Sequence, residues 1–279
     1  AQWIDTFNNF NKVEEGYRWS FIMNYNYLNI TIENRVGWIE YNRPPINAFN
    51  WEMLREVPAA LEQSLQNPDV RVIVFASAIE KYFSTGADLR VFDGIGKKGM
   101  EEWVSICHGL VSLMRMSNKP LLAAIRGVAT GGGLEMVLHC DVRFAANDAR
   151  LGQPEINIGF IPPVGATQAL ARLLGKSRAL RYLYEGTLVS AEEALNMELV
   201  DVIHPSDQLH KEVQVYAEAL AKKPAQALGA IRRTITEGGA LSFEKGMEIE
   251  YESAIKLADT RDFSEGIQAF LEKRKPDWD

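Results

Sequence analysis

Two carboxylates twenty positions apart, Glu135 and Glu155, flank a stretch that holds little other reactive chemistry. Glu135 follows a triple glycine, Gly131-Gly132-Gly133, and Glu155 follows Gly152-Gln153-Pro154. Two carboxylates around one water can remove one proton and deliver another. The glycines let the backbone turn sharply and approach a ligand closely. Unpaired N–H groups in the first turn of the helix they open favour negative charge. An oxygen gaining charge in an enolate-like transition state is one candidate for that place. Each acid also has a plainer reading: Glu135 as a helix-dipole partner, and Glu155 as a solvated loop residue.

The surrounding elements must position this stretch. Residues 121–125 form an apolar run of strand length, ended by Arg126-Gly127, and 134–140 read as the start of a buried helix. Residues 141–146 read as a second strand, with Asn147-Asp148 as a turn. Upstream, 28–33 and 36–42 alternate around Asn34-Arg35 as a hairpin does, and Arg43-Pro44-Pro45 ends the pair. Residues 51–66 are helical in pattern, but Pro58 should kink the helix or delay its start. Residues 70–76 are nearly all apolar, as in a strand buried on both faces. Residues 83–88 are expected as a loop with a helix from Asp88, and the glycine-rich 93–99 as mobile chain. An amphipathic helix follows over 101–116. After the central stretch, short helices over 166–174, 177–185 and 191–197 and a strand over 200–204 lead into helices only, about 208–222, 224–237, 242–257 and 261–273. Alternation followed by helices alone predicts an α/β core with a helical C-terminal subdomain.

Composition narrows the class. The 279 residues are 47% hydrophobic and 24% charged, with 30 basic against 37 acidic residues for a net charge of −7. A broad basic face for nucleic acid is not favoured. Cys107 and Cys140, the only cysteines, fit buried thiols of a reducing compartment better than a disulfide framework. No run approaches a membrane span, and residues 1–26 lack the pattern of a secretory signal, so a soluble, cytoplasmic protein is expected. No HExxH, P-loop, nucleophile elbow or dinucleotide fingerprint is present, and no metal site is expected.

Five segments, NRPPINAFN, FSTGADL, GVATGGGLE, LGQPEINIGFIPPVGATQ and RDFSEGIQAFLEKRKPDW, resemble the enoyl-CoA hydratase/isomerase (crotonase) superfamily in order and approximate spacing over residues 27–278. The resemblance implies a crotonase-like spiral of ββα units over 27–205. It also implies an all-helical C-terminal subdomain over 206–279 that builds a homo-trimer or homo-hexamer, with 1–26 an extension of unassigned role. It makes Glu135 and Glu155 the catalytic pair of a hydratase, Glu135 deprotonating water and Glu155 managing the α-proton, and Ala87 and Gly132 the backbone donors of an oxyanion hole. The substrate would be an acyl-CoA, with coenzyme A as part of the substrate and no separate cofactor. Arg90 and Lys273 are candidates for CoA phosphates. Arg126 and Pro163, which depart from the commonest family pattern, are candidates for the acyl pocket and leave room for cyclic, branched or aromatic acyl groups. Rival readings are an isomerase, a ring acyl-CoA hydratase or hydrolase on the same scaffold, and an RNA-binding member.

Overall fold

The computed structural model describes residues 25–278; most of the expected N-terminal extension lies outside the described residues. Strands β1 (Leu28–Glu33) and β2 (Val36–Tyr41) pair antiparallel across a two-residue turn. Asn34 and Arg35 both take positive φ there, 49° and 68°, as a turn matching the strand twist requires. Helix α1 (Trp51–Gln66) is capped by the Asn50 side chain on the Met53 N–H and continues through Pro58. The start is not delayed to Pro58, because Met53 and Leu54 before it join Val57, Ala60 and Leu61 in one buried stripe.

The next units repeat one plan. A buried strand in a large sheet leads to a three-residue strand in a small one: β3 (Val72–Ser77) to β4 (Tyr82–Ser84), β5 (Leu121–Ile125) to β6 (Val128–Thr130), and β7 (Val142–Ala146) to β8 (Arg150–Gly152). Helices α2 (Gly96–Arg115) and α3 (Gly132–Val137) follow the first two units, and α4 (Ala166–Leu173) and α5 (Lys176–Glu185) come after the third. β9 (Leu188–Ser190), α6 (Ala191–Asn196) and β10 (Val202–His204) complete the sheets. The large sheet runs β1-β2-β3-β5-β7-β10, parallel from β2 onward, and the small one β4-β6-β8-β9. This α/β spiral is the fold the resemblance implied. Strands β3 and β5 are buried at every position, which is why they read as unbroken apolar runs.

Two expectations are corrected. Residues 83–84 are strand rather than loop, because β4 pairs with β6. The stretch taken as mobile ends inside a helix, since α2 begins at Gly96 and Gly96–Gly99 is its first turn.

Helix α7 (Leu209–Ala221) lies across β2, β3, β5 and β7. It is fixed by the Trp38 indole, which donates to Gln214 at 2.7 Å and stacks on His210 at 4.0 Å. Helix α8 (Ala225–Gly238) is pinned by Arg232, a buried guanidinium. It donates to the carbonyls of Met114, Arg115 and Ser117 at the end of α2, and to Asp141 at 2.8 Å. A buried charge with each of its nitrogens directed at an acceptor is a costly group to disturb. Helices α9 (Phe243–Ala258) and α10 (Arg261–Glu272) close the chain. No helix among the described residues is long and apolar enough to cross a membrane.

Candidate active site

The C-terminal ends of β4, β6 and β8 meet the start of α3 around a cavity of about 320 Å³. Asn47, fully buried, ties neighbouring segments together. Its amide donates to Ser77 Oγ at 2.9 Å and the Phe83 carbonyl at 3.0 Å, and its oxygen accepts the Arg43 N–H at 2.7 Å. The segment after β4 is thereby fixed against the loop after β2, and Ser84 Oγ donates to the Asn47 carbonyl at 2.8 Å.

Two backbone segments come together here. Phe49 and Ala87 form a bridge that uses the Phe49 N–H on the Gly86 carbonyl and the Asp88 N–H on the Phe49 carbonyl. The N–H of Ala87 itself points away from the bridge, and Ala87 lines the cavity. Gly132 is the first residue of α3, where an N–H has no partner inside the helix. Gly86 sets the distance between the two segments. At φ +78° a Cβ there would lie 2.8 Å from the Gly132 nitrogen, so only glycine allows the approach. At Gly131, φ +53°, a Cβ would stand 3.1 Å from Glu155 Oε1. The glycines therefore make room for both the donors and the carboxylate.

Glu135 lies in the first turn of α3 and is 1% exposed. Its Oε2 accepts the Val164 N–H at 2.6 Å, while Oε1 is buried without a partner among the described residues. Burial and then the charge of Glu155 push its carboxyl well above the usual range, against the pull of the Val164 and Ala166 N–H groups. Glu155 sits on a short 3₁₀ turn, Pro154–Ile158, and burial lifts its carboxyl to about 7. With its amide nitrogen turned inward, buried Gln153 donates to both Glu155 oxygens at 3.1 Å. Burial thus raises both carboxyls, and the Glu155 charge raises Glu135 further.

Two histidines fasten the loop that carries Val164. His108 Nε2 meets the Pro163 carbonyl at 2.7 Å, and His139 Nε2 the Val164 carbonyl at 2.9 Å. The remaining wall is apolar: Phe92, Trp103 and Phe160 meet edge to face, with Leu54, Leu110 and Met136 beside them.

A sequence profile described as enoyl-CoA hydratase/isomerase matches residues 31–279. The chain belongs to the enoyl-CoA hydratase/isomerase family. It is 33% identical over 255 residues to a probable enoyl-CoA hydratase of Bacillus subtilis, covering 90% of this chain and 98% of that protein. To a crotonyl-CoA hydratase of Syntrophomonas wolfei it is 32% identical over 252 residues, 89% of this chain and 97% of that one. The crystal structure of an enoyl-CoA hydratase from Bacillus anthracis superposes with a TM-score of 0.86 at 32% identity, over 90% of this chain and 98% of the other.

Of the residues singled out from the sequence, Glu135, Glu155, Ala87, Gly132 and Pro163 line this family member's cavity. Arg90, Arg126 and Lys273 are not among the lining residues. Arg90 is engaged with Asp88 at 2.7 Å, a contact that helps hold the Asp88 carboxyl down at about 2. Arg126 faces Glu80 at 3.9 Å, and its Nε is buried without a partner among the described residues. Lys273 ends α10 in an exposed left-handed turn. Asn47, Gln153 and the Val164 N–H were not singled out from residue types and spacing. Asn47 could have been found as a polar residue inside the first quoted segment, whereas a backbone donor leaves no mark in residue type.

Proposed function

We propose that this chain is an enoyl-CoA hydratase, adding water reversibly across the α,β double bond of an enoyl-CoA to give the 3-hydroxyacyl-CoA. The observation that carries the reading is that two carboxyls with raised proton affinity, Glu135 and Glu155, line one mostly apolar cavity together with Ala87 and Gly132. The names of the relatives support it.

In this reading the Ala87 and Gly132 N–H groups hold the thioester carbonyl oxygen. A water sits at the open Oε1 of Glu135, Glu135 takes its proton, and Glu155 supplies the proton that C2 receives. Water oxygen bonds to C3, its proton passes to Glu135, and the electron pair of the double bond moves to C2. The resulting enolate oxygen is met by the two N–H groups, each worth about 3 kcal/mol in comparable sites. C2 then takes the proton of Glu155, and the proton left on Glu135 passes to Glu155 before the next turnover. The reaction as drawn uses no metal and no second cofactor.

The acyl end faces aromatic and branched side chains, with Pro163 and Val164 in the wall. That lining favours a branched or alicyclic acyl group over a straight chain. Turnover of linear, branched and alicyclic enoyl-CoAs tests this directly: the highest kcat/KM should fall on a bulky member, and a clear preference for crotonyl-CoA would refute the assignment. We also infer a homo-trimer or homo-hexamer, because α9 and α10 leave Phe243, Met247, Tyr251, Ile255 and Phe270 more than half exposed.

A further inference from the structure

A second cavity, of about 350 Å³, lies where the segment after α2 meets α8 and α9, and it shares no lining residue with the catalytic one. Six basic side chains line it: Arg71, Arg115, Lys119, Lys223, Arg233 and Lys256. One carboxylate, Glu237, accompanies them and is bonded to Arg233 at 3.1 Å. In a chain of net charge −7 this is a local reversal of sign. Arg115 donates to the Thr236 carbonyl and Lys119 to the carbonyls of Ser64 and Asn67, so carbonyl oxygens rather than carboxylates receive both groups. Burial and the Arg71 charge hold the Lys119 ammonium down at about 8, a cost that an anion would relieve.

Two further features point at an anion. The first turn of α8, with Ala225, Gln226 and Leu228 on the cavity wall, has no side-chain cap on its N–H groups. Ser253, 6% exposed on α9, lines the cavity with its Oγ buried and unpartnered among the described residues. A helical serine usually donates to the carbonyl one turn back. This hydroxyl is unspent and stands among cations. Met116, Leu228 and Leu257 supply a non-polar wall.

We propose that this cavity binds a small organic anion carrying phosphate, the phosphate held by the basic rim and Ser253 Oγ and the organic body packed on Met116, Leu228 and Leu257. Such a ligand touches three elements at once and ties the C-terminal helices to the core.

Calorimetric titration at constant ionic strength with phenyl phosphate and with inorganic phosphate tests the site. Both should bind saturably, phenyl phosphate more tightly. The Lys223→Ala/Lys256→Ala variant should lose about tenfold or more in affinity, the scale of a charge-assisted hydrogen bond. Ser253→Ala, which removes no charge, should lose several-fold. Lys97→Ala/Lys98→Ala on α2 removes the same charge outside the cavity and should bind as wild type. Unchanged thermal unfolding of the ligand-free variants establishes that they are folded. The proposal is overturned by absence of saturable binding at millimolar phosphate, by equal losses in the Lys97/Lys98 variant, or by full affinity in both cavity variants.

Discussion

Replacing Glu155 by Gln should abolish most of the turnover and at the same time stabilise the protein, increasingly so as pH rises. A carboxyl that rises from 4.5 in the unfolded chain to about 7 in the folded one binds more protons folded than unfolded between those values. Stability contributed by this group is therefore fully present below about 4.5, falls as pH increases, and is lowest above about 7. At about 1.36 kcal/mol per pH unit, the loss between pH 5 and pH 8.5 is about 2.5 kcal/mol. Glutamine cannot ionise, keeps the side-chain length, and can still accept a hydrogen bond from Gln153. In a chain of this size about 1 kcal/mol moves Tm by about 2–4 °C. The Tm advantage of Glu155→Gln over wild type should thus grow by about 5–10 °C from pH 5 to pH 8.5, while hydration falls at least ~100-fold. Thermal unfolding of both proteins across that range is the assay. A Tm difference that does not change with pH would refute the claim that burial holds the Glu155 proton.

Two further outcomes follow from the geometry. Gly86→Ala places a methyl 2.8 Å from the Gly132 nitrogen and strains a φ of +78°, so the two donor segments must separate; kcat should fall ~100-fold or more with circular dichroism unchanged, and wild-type kcat in a folded variant would contradict the oxyanion role. Light scattering should show a trimer or hexamer that Phe243→Ser/Phe270→Ser shifts to smaller species, and a wild-type monomer at micromolar concentration would contradict the assembly.

The large sheet was legible in the sequence because β3 and β5 are apolar at every position and β1 and β2 alternate around a two-residue turn. The small sheet was not. Strands β4, β6, β8 and β9 have three residues each, too few for any periodicity to register, and they pair with partners far along the chain. Residues 93–99 were read as mobile because three glycines and two lysines mask a helix start. Glu135 and the glycines before it were visible as residue types at a helix opening, and Glu155 as a second acid twenty positions on. What the chain order could not give is the convergence on them of Asn47 from the loop after β2, the Val164 N–H before α4 and the His108 and His139 clasps. Arg126, an unusual residue beside a recognised segment, was singled out as a candidate ligand contact; in the fold it faces Glu80 at 3.9 Å and is not among the residues that line the cavity.

Hydration itself is tested most directly by the fate of solvent oxygen. With an enoyl-CoA turned over in heavy-oxygen water, the wild-type product should carry the label at C3, and Glu135→Gln should slow its appearance at least ~100-fold. Product free of solvent oxygen, together with full activity in Glu135→Gln, would contradict hydration and leave double-bond isomerisation by Glu155.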